Sequence, residues 1–77
     1  MIVTLLAFAS AAQQLGWREQ EVPAAPSDTP RALFARADAA FQPGAARAAV
    51  NGEYHAWDAP VGEDAKEIAV IPPVSGG

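Results

Sequence analysis

Apolar positions along this chain follow two different rhythms, and the switches between them mark its elements. Ile2 to Phe8 is apolar on both faces except at Thr4, which predicts a central β-strand. Thr4 marks the more exposed face, so Val3, Leu5 and Ala7 are expected to point to the core. The segment SAAQQLG at 10–16 carries the marks of a short helix. Ser10 is placed to cap it, Gln13 sits at the reciprocal capping-box position, and Gly16 can end it in a left-handed conformation. Trp17 to Val22 alternates in character and predicts a second strand beside the first.

PAAPSDTP at 23–30 reads as a loop that closes on a helix start. Thr29 is the N-cap, and Pro30 occupies the first helical position, where a missing N–H does no harm. In the helix predicted from Pro30 to about Phe41, the side chains of Leu33, Phe34, Ala37, Ala40 and Phe41 share one face. QPGA stops it. Arg47 to Asn51 and Glu53 to Trp57 are predicted as a hairpin about Asn51-Gly52, because both central residues of a type I′ turn need positive φ. Glu67 to Ile71 is the last strand. Pro72-Pro73 ends it, since proline offers no ladder N–H. Strands on both sides of one principal helix predict an α+β domain over 1–71, a mixed sheet wrapped over that helix, with 72–77 as a flexible tail.

Composition narrows the function classes. The 77 residues allow one domain, and a hydrophobic share of 51% argues against a disordered chain. The net charge is −4, and the five basic residues, Arg18, Arg31, Arg36, Arg47 and Lys66, are scattered. A nucleic-acid binder would gather them in a patch. An acidic domain suits partners with basic rims, and it is also the ordinary composition of a soluble protein. Cysteine is absent, which excludes disulfides, thiolate ligands and a cysteine nucleophile and is compatible with a cytoplasmic location. The apolar stretch at 1–12 ends in small residues, but no Lys or Arg precedes Arg18, so a strand is expected there rather than a signal peptide. That stretch is also too short to span a bilayer, and no membrane role is expected.

Side chains suited to catalysis are few. His55 and Asp58 are close in sequence, but Ser10, Ser27 and Ser75 lack the glycine pattern of a nucleophile elbow. One histidine and scattered carboxylates do not make a metal site. Gly52 and Gly62 are isolated, so no phosphate loop is present. Trp17 and Trp57 are read as packing residues.

The end of the chain is different. In PPVSGG, Pro72-Pro73 sets an extended path away from the sheet. Val74 and Ser75 follow, and Gly76-Gly77 lacks side chains and can pass a channel too narrow for other residues. The six residues reach at most about 20 Å. None carries a charged side chain, which leaves the α-carboxylate of Gly77 as the one group placed like a reagent. It must be activated before it can accept sulfur or an amine.

EIAVIPPVSGG at 67–77, AVNGE at 49–53 and WDAPV at 57–61 resemble the MoaD/ThiS family of ubiquitin-like sulfur carriers. The Pro-Pro pair resembles the molybdopterin synthase small subunits in that family more than the thiazole carriers. GEDAKE at 62–67 departs from the family's shorter turn. The resemblance implies a β-grasp fold and a chain that binds no cofactor and has no catalytic side chains of its own. An E1-like adenylating enzyme would use ATP to activate Gly77, and a sulfur donor would convert the adenylate to a thiocarboxylate. Pro72, Pro73, Val74, Ser75 and Gly76 would thread into the large subunit of molybdopterin synthase, and Gly77 would deliver sulfur to cyclic pyranopterin monophosphate. Three other readings stay open: a carrier for thiazole or another pathway, a ubiquitin-like modifier joined to targets through Gly77, and a binding module with an idle tail.

Overall fold

The computed structural model describes residues 1–73. Along the chain lie β1 (Ile2–Ala7), α1 (Ala9–Leu15), β2 (Glu19–Pro23), α2 (Pro30–Ala37), β3 (Arg47–Val50), β4 (Glu53–His55) and β5 (Glu67–Ile71). The strands form one mixed sheet in the order β2-β1-β5-β3-β4. β5 runs parallel to β1, and the other pairings are antiparallel. This is an α+β fold with β-grasp topology.

The β1 pattern is realised as its sequence implies. Val3, Leu5 and Ala7 are buried, while Thr4 and Leu6 on the other face are half-buried. The register sets Leu5 beside Ile68 and Ala7 beside Val70. α2 lays Leu33 and Phe34 over that face, both with no exposed surface. Its N-terminus is the predicted one: Thr29 Oγ1 accepts the Ala32 N–H at 3.1 Å, and Pro30 follows.

Three predicted boundaries shift for one physical reason. Trp17, Phe41 and Trp57 were expected inside regular elements, but each leaves its element to pack around Phe34. Trp17 stacks at 6.2 Å between ring centroids, Phe41 at 4.9 Å, and Trp57 meets it edge-on at 6.0 Å. β2 therefore starts at Glu19, β4 ends at His55 and α2 ends at Ala37. Burying aromatic area outweighs one more turn or ladder step. Asp38 helps stop α2: its Oδ1 accepts the Ala40 N–H at 3.0 Å, a local bond that competes with helix. The indole N–H of Trp57 donates to the Ala46 carbonyl at 2.9 Å.

A different shift occurs at α1. Its N-cap is Phe8 and carries no side-chain bond, so neither Ser10 capping nor the Gln13 capping box is realised. β1 passes into α1 without a spacer, Ala9 turns the chain at φ 49°, and the Phe8 carbonyl accepts the Ala11 N–H at 3.0 Å. The left-handed stop holds: Gly16 has φ 85°, and its N–H donates to the Ala12 carbonyl.

The hairpin turn is as expected, with Asn51 at φ 51° and Gly52 at φ 84°. Asn51 does more than turn the chain. Its Oδ1 accepts the N–H groups of Lys66 (2.8 Å) and Glu67 (3.1 Å), and its Nδ2 donates to the Asp64 carbonyl (2.8 Å). It thereby fixes the entry of β5. Asn51→Ala is expected to cost about 2 kcal/mol in urea unfolding, from three bonds and a strained left-handed alanine. Asn51→Gly, which relieves the strain alone, should recover only part of that loss.

A second clamp joins β2 to α2. Arg36 donates to both oxygens of Asp28 (2.7 and 3.0 Å) and to the Pro23 carbonyl (3.0 Å), and Asp28 also accepts the Ala25 N–H. The Arg36 hydrogen bond first, and the Ala25 bond second, hold the Asp28 pKa down to about 2. A carboxylate with a lowered folded pKa contributes its stability in full above its unfolded value of about 4 and loses it as pH falls toward 2. Acid unfolding followed by circular dichroism should lose stability across that window, and Asp28→Asn should flatten the loss.

Candidate functional site

β5 is the middle strand, so its C-terminal end emerges at the centre of one end of the sheet. β1 runs parallel to it and ends at the same level, with Ala7 beside Val70. On the other side, Arg47 at the start of β3 is level with Ile71, the last residue of the ladder. Pro72 follows half-buried and Pro73 exposed. Neither proline has an N–H to extend the pairing, so the chain leaves the sheet here. The predicted site residues Val74, Ser75, Gly76 and Gly77 lie outside the described residues.

Two features frame this exit. On the helix side, a groove of about 330 Å³ runs between α1 and the segment before β3, and its walls include Ser10, Gln14, Phe41, Pro43, Pro72 and Pro73. On the outer face, the register brings Leu6, Ala69, Ala49 and Tyr54 into one row across β1, β5, β3 and β4, with Ile71 and Arg47 one step nearer the exit. Ala49 and Ala69 are buried, Leu6 and Ile71 half-buried, and Tyr54 is 62% exposed. The Arg47 guanidinium lies 3.8 Å from the centre of the Tyr54 ring. Sequence reasoning passed over Arg47 and Tyr54. A signal was available: a two-residue turn at Asn51-Gly52 pairs Ala49 with Tyr54 and so sets Arg47 diagonally across from that ring.

His55 and Asp58 do not form a dyad. The His55 Nε2–H donates to the Ala59 carbonyl at 3.1 Å, and Asp58 is held by Arg31 at 2.8 and 3.3 Å. That hydrogen bond from Arg31 lowers the Asp58 pKa. Trp17 and Trp57 pack against the core, as their reading from sequence had it. Among the described residues, no three His, Asp or Glu side chains gather to hold a metal ion, and no helix is long and apolar enough to cross a membrane.

Three solved structures share the fold. SAMP1 from Haloferax volcanii is 23% identical, with all of both chains covered and a TM-score of 0.74. A Pyrococcus furiosus protein, described as a candidate molybdopterin converting factor, subunit 1, is 25% identical over 96% of this chain and 99% of its own, with a TM-score of 0.71. A second structure, of H. volcanii small archaeal modifier protein 1, is 22% identical over 95% of this chain and 98% of its own, with a TM-score of 0.70. No curated protein matches the chain. The profile of the ThiS family matches residues 5–77, from within β1 through the final glycine. The chain therefore belongs to the ThiS family, within the superfamily of β-grasp sulfur carriers and ubiquitin-like proteins.

Proposed function

We propose that this protein is the sulfur-carrying small subunit of a molybdopterin synthase, working in the cytoplasm. The observation that carries the reading is the exit at Pro72-Pro73: a middle strand ends at two prolines, and the family match continues beyond them to Gly77. The similarity to the P. furiosus protein supports the molybdopterin branch.

In this reading the Gly77 carboxylate attacks the α-phosphorus of ATP on an E1-like enzyme, and pyrophosphate leaves. A sulfur nucleophile at the sulfide level then attacks the carbonyl carbon, and AMP leaves to give the thiocarboxylate. The large synthase subunit admits the tail and takes the sulfur for cyclic pyranopterin monophosphate, and water restores the carboxylate. The part played by this chain is geometric. Pro72-Pro73 limits the directions of the tail, and the side-chain-free Gly76-Gly77 lets the backbone approach the reacting centre.

Coexpression with the adenylating enzyme and its sulfur donor, followed by intact-mass spectrometry, tests this. The expected product is a mass rise equal to one oxygen exchanged for sulfur. The Haloferax proteins are called modifiers. A ladder of conjugates on cellular proteins, with no thiocarboxylate, would place this chain with them instead.

A further inference from the structure

The charge on the four arginines is not spent equally. Arg31 is paired with Asp58 at 2.8 Å and Arg36 with Asp28 at 2.7 Å. Among the described residues, Arg18 and Arg47 have no carboxylate within ion-pair distance, and both are exposed. The topology brings these two to the end of the sheet where the tail leaves. Arg47 is level with Ile71. The Arg18 carbonyl accepts the Ala7 N–H at 2.9 Å, and Ala7 is level with Val70. Three strand spacings, about 14 Å, separate the β2 edge from β3, with the exit between them.

The acidic groups are arranged in the opposite sense. Glu53, Glu63, Asp64 and Glu67 lie at the far end, where β4 and β5 begin, against Lys66 and the Met1 amino group. The net charge of −4 is therefore concentrated away from the tail. Among the described residues, two carboxylates occur near the exit. Glu19 pairs with Leu6, one step in from Arg18, and Asp38 borders the groove on the helix side with its Oδ1 engaged by Ala40. Neither is bonded to Arg18 or Arg47.

Arg47 is also held in place. A guanidinium stacked on an aromatic ring loses little further freedom when it binds and keeps its N–H edge for a carboxylate fork. Beside it, Ile71 and Leu6 offer apolar contact. We propose that the protein that takes up the tail presents a carboxylate against Arg47, with a second against Arg18, at the mouth of its tail channel. A whole-chain charge of −4 suggests basic partner surfaces; a basic surface at the channel mouth would instead attract the wrong end of this molecule. The two carboxylates would fix the register of the docked complex at the exit end of the sheet.

This surface rests on the proposed function for a partner that takes up the tail, and the probe is the purified adenylating enzyme. Calorimetric Kd and ATP–pyrophosphate exchange are measured side by side. Arg47→Glu should weaken Kd about tenfold and Arg18→Glu/Arg47→Glu about a hundredfold. Arg47→Lys should recover most of the affinity. Wild-type Kd should weaken as salt rises from about 50 mM to 0.5 M. Among the described residues the Arg18 side chain makes no hydrogen bond or ion pair, so Arg18→Glu reads the charge without disturbing packing, and it should weaken Kd by itself. An unchanged Kd in the glutamate variants overturns the surface even if exchange proceeds and the carrier reading stands. Charge-dependent binding without exchange keeps the surface and overturns the carrier reading.

Discussion

Phe34→Ala is expected to bring this domain close to unfolding at room temperature. Phe34 has no exposed surface, and three aromatic rings close on it from β2's approach, α2's exit and the segment after β4. Truncating a buried aromatic costs about 3–5 kcal/mol, because the transfer energy is lost and the cavity left behind cannot fully collapse. A chain of 77 residues holds only about 4–12 kcal/mol in total. Urea unfolding should therefore show a large fall in midpoint, or no cooperative transition at all. Phe34→Leu keeps most of the volume and should cost about 1–2 kcal/mol. A loss below about 1 kcal/mol for the alanine variant would mean that Trp17, Phe41 and Trp57 close over the gap without it.

One residue added after Gly77 should abolish thiocarboxylate formation while leaving the melting temperature unchanged. Among the described residues sheet pairing ends at Ile71, so the addition touches no described ladder bond. In the proposed chemistry it displaces the reacting carbonyl by about 3.5 Å and replaces a hydrogen with a side chain in a channel sized for glycine. A misplacement of 1 Å can already cost about a hundredfold in rate. Intact-mass spectrometry after coexpression reads the outcome directly. Sulfur incorporation at the wild-type level in the extended variant would overturn the assignment of Gly77.

What could be read from the sequence was whatever local chemistry decides. Thr29-Pro30, Gly16 and Asn51-Gly52 each state a backbone requirement within two residues, and each is met. The alternation of burial in β1 follows directly from Thr4 among apolar neighbours. The boundaries at Trp17, Phe41 and Trp57 could not be read this way. What draws Trp17 and Trp57 out of their elements is a ring distant in sequence, Phe34, and at Phe41 the local Asp38 bond acts together with that ring. Ser10 looked like a cap because it precedes an apolar run, but the helix had already begun from the Phe8 carbonyl. At the candidate site, Pro72-Pro73 was legible as the end of a strand. Its position at the centre of the sheet was not, because the parallel pairing of β1 with β5 joins residues more than sixty apart. Arg18 and Arg47 were visible as residues and invisible as a pair, since only the strand order sets them on either side of the exit.

The middle strand is also the last of the five to be translated. Until residues 67–71 have left the ribosome, the β1–β2 pair and the β3–β4 hairpin have no strand to join them. A polypeptide broken off anywhere before that point lacks its central plank and remains a substrate for proteases. Folding must wait on a contact between the two extremities of the sequence, which makes it slow for so small a protein.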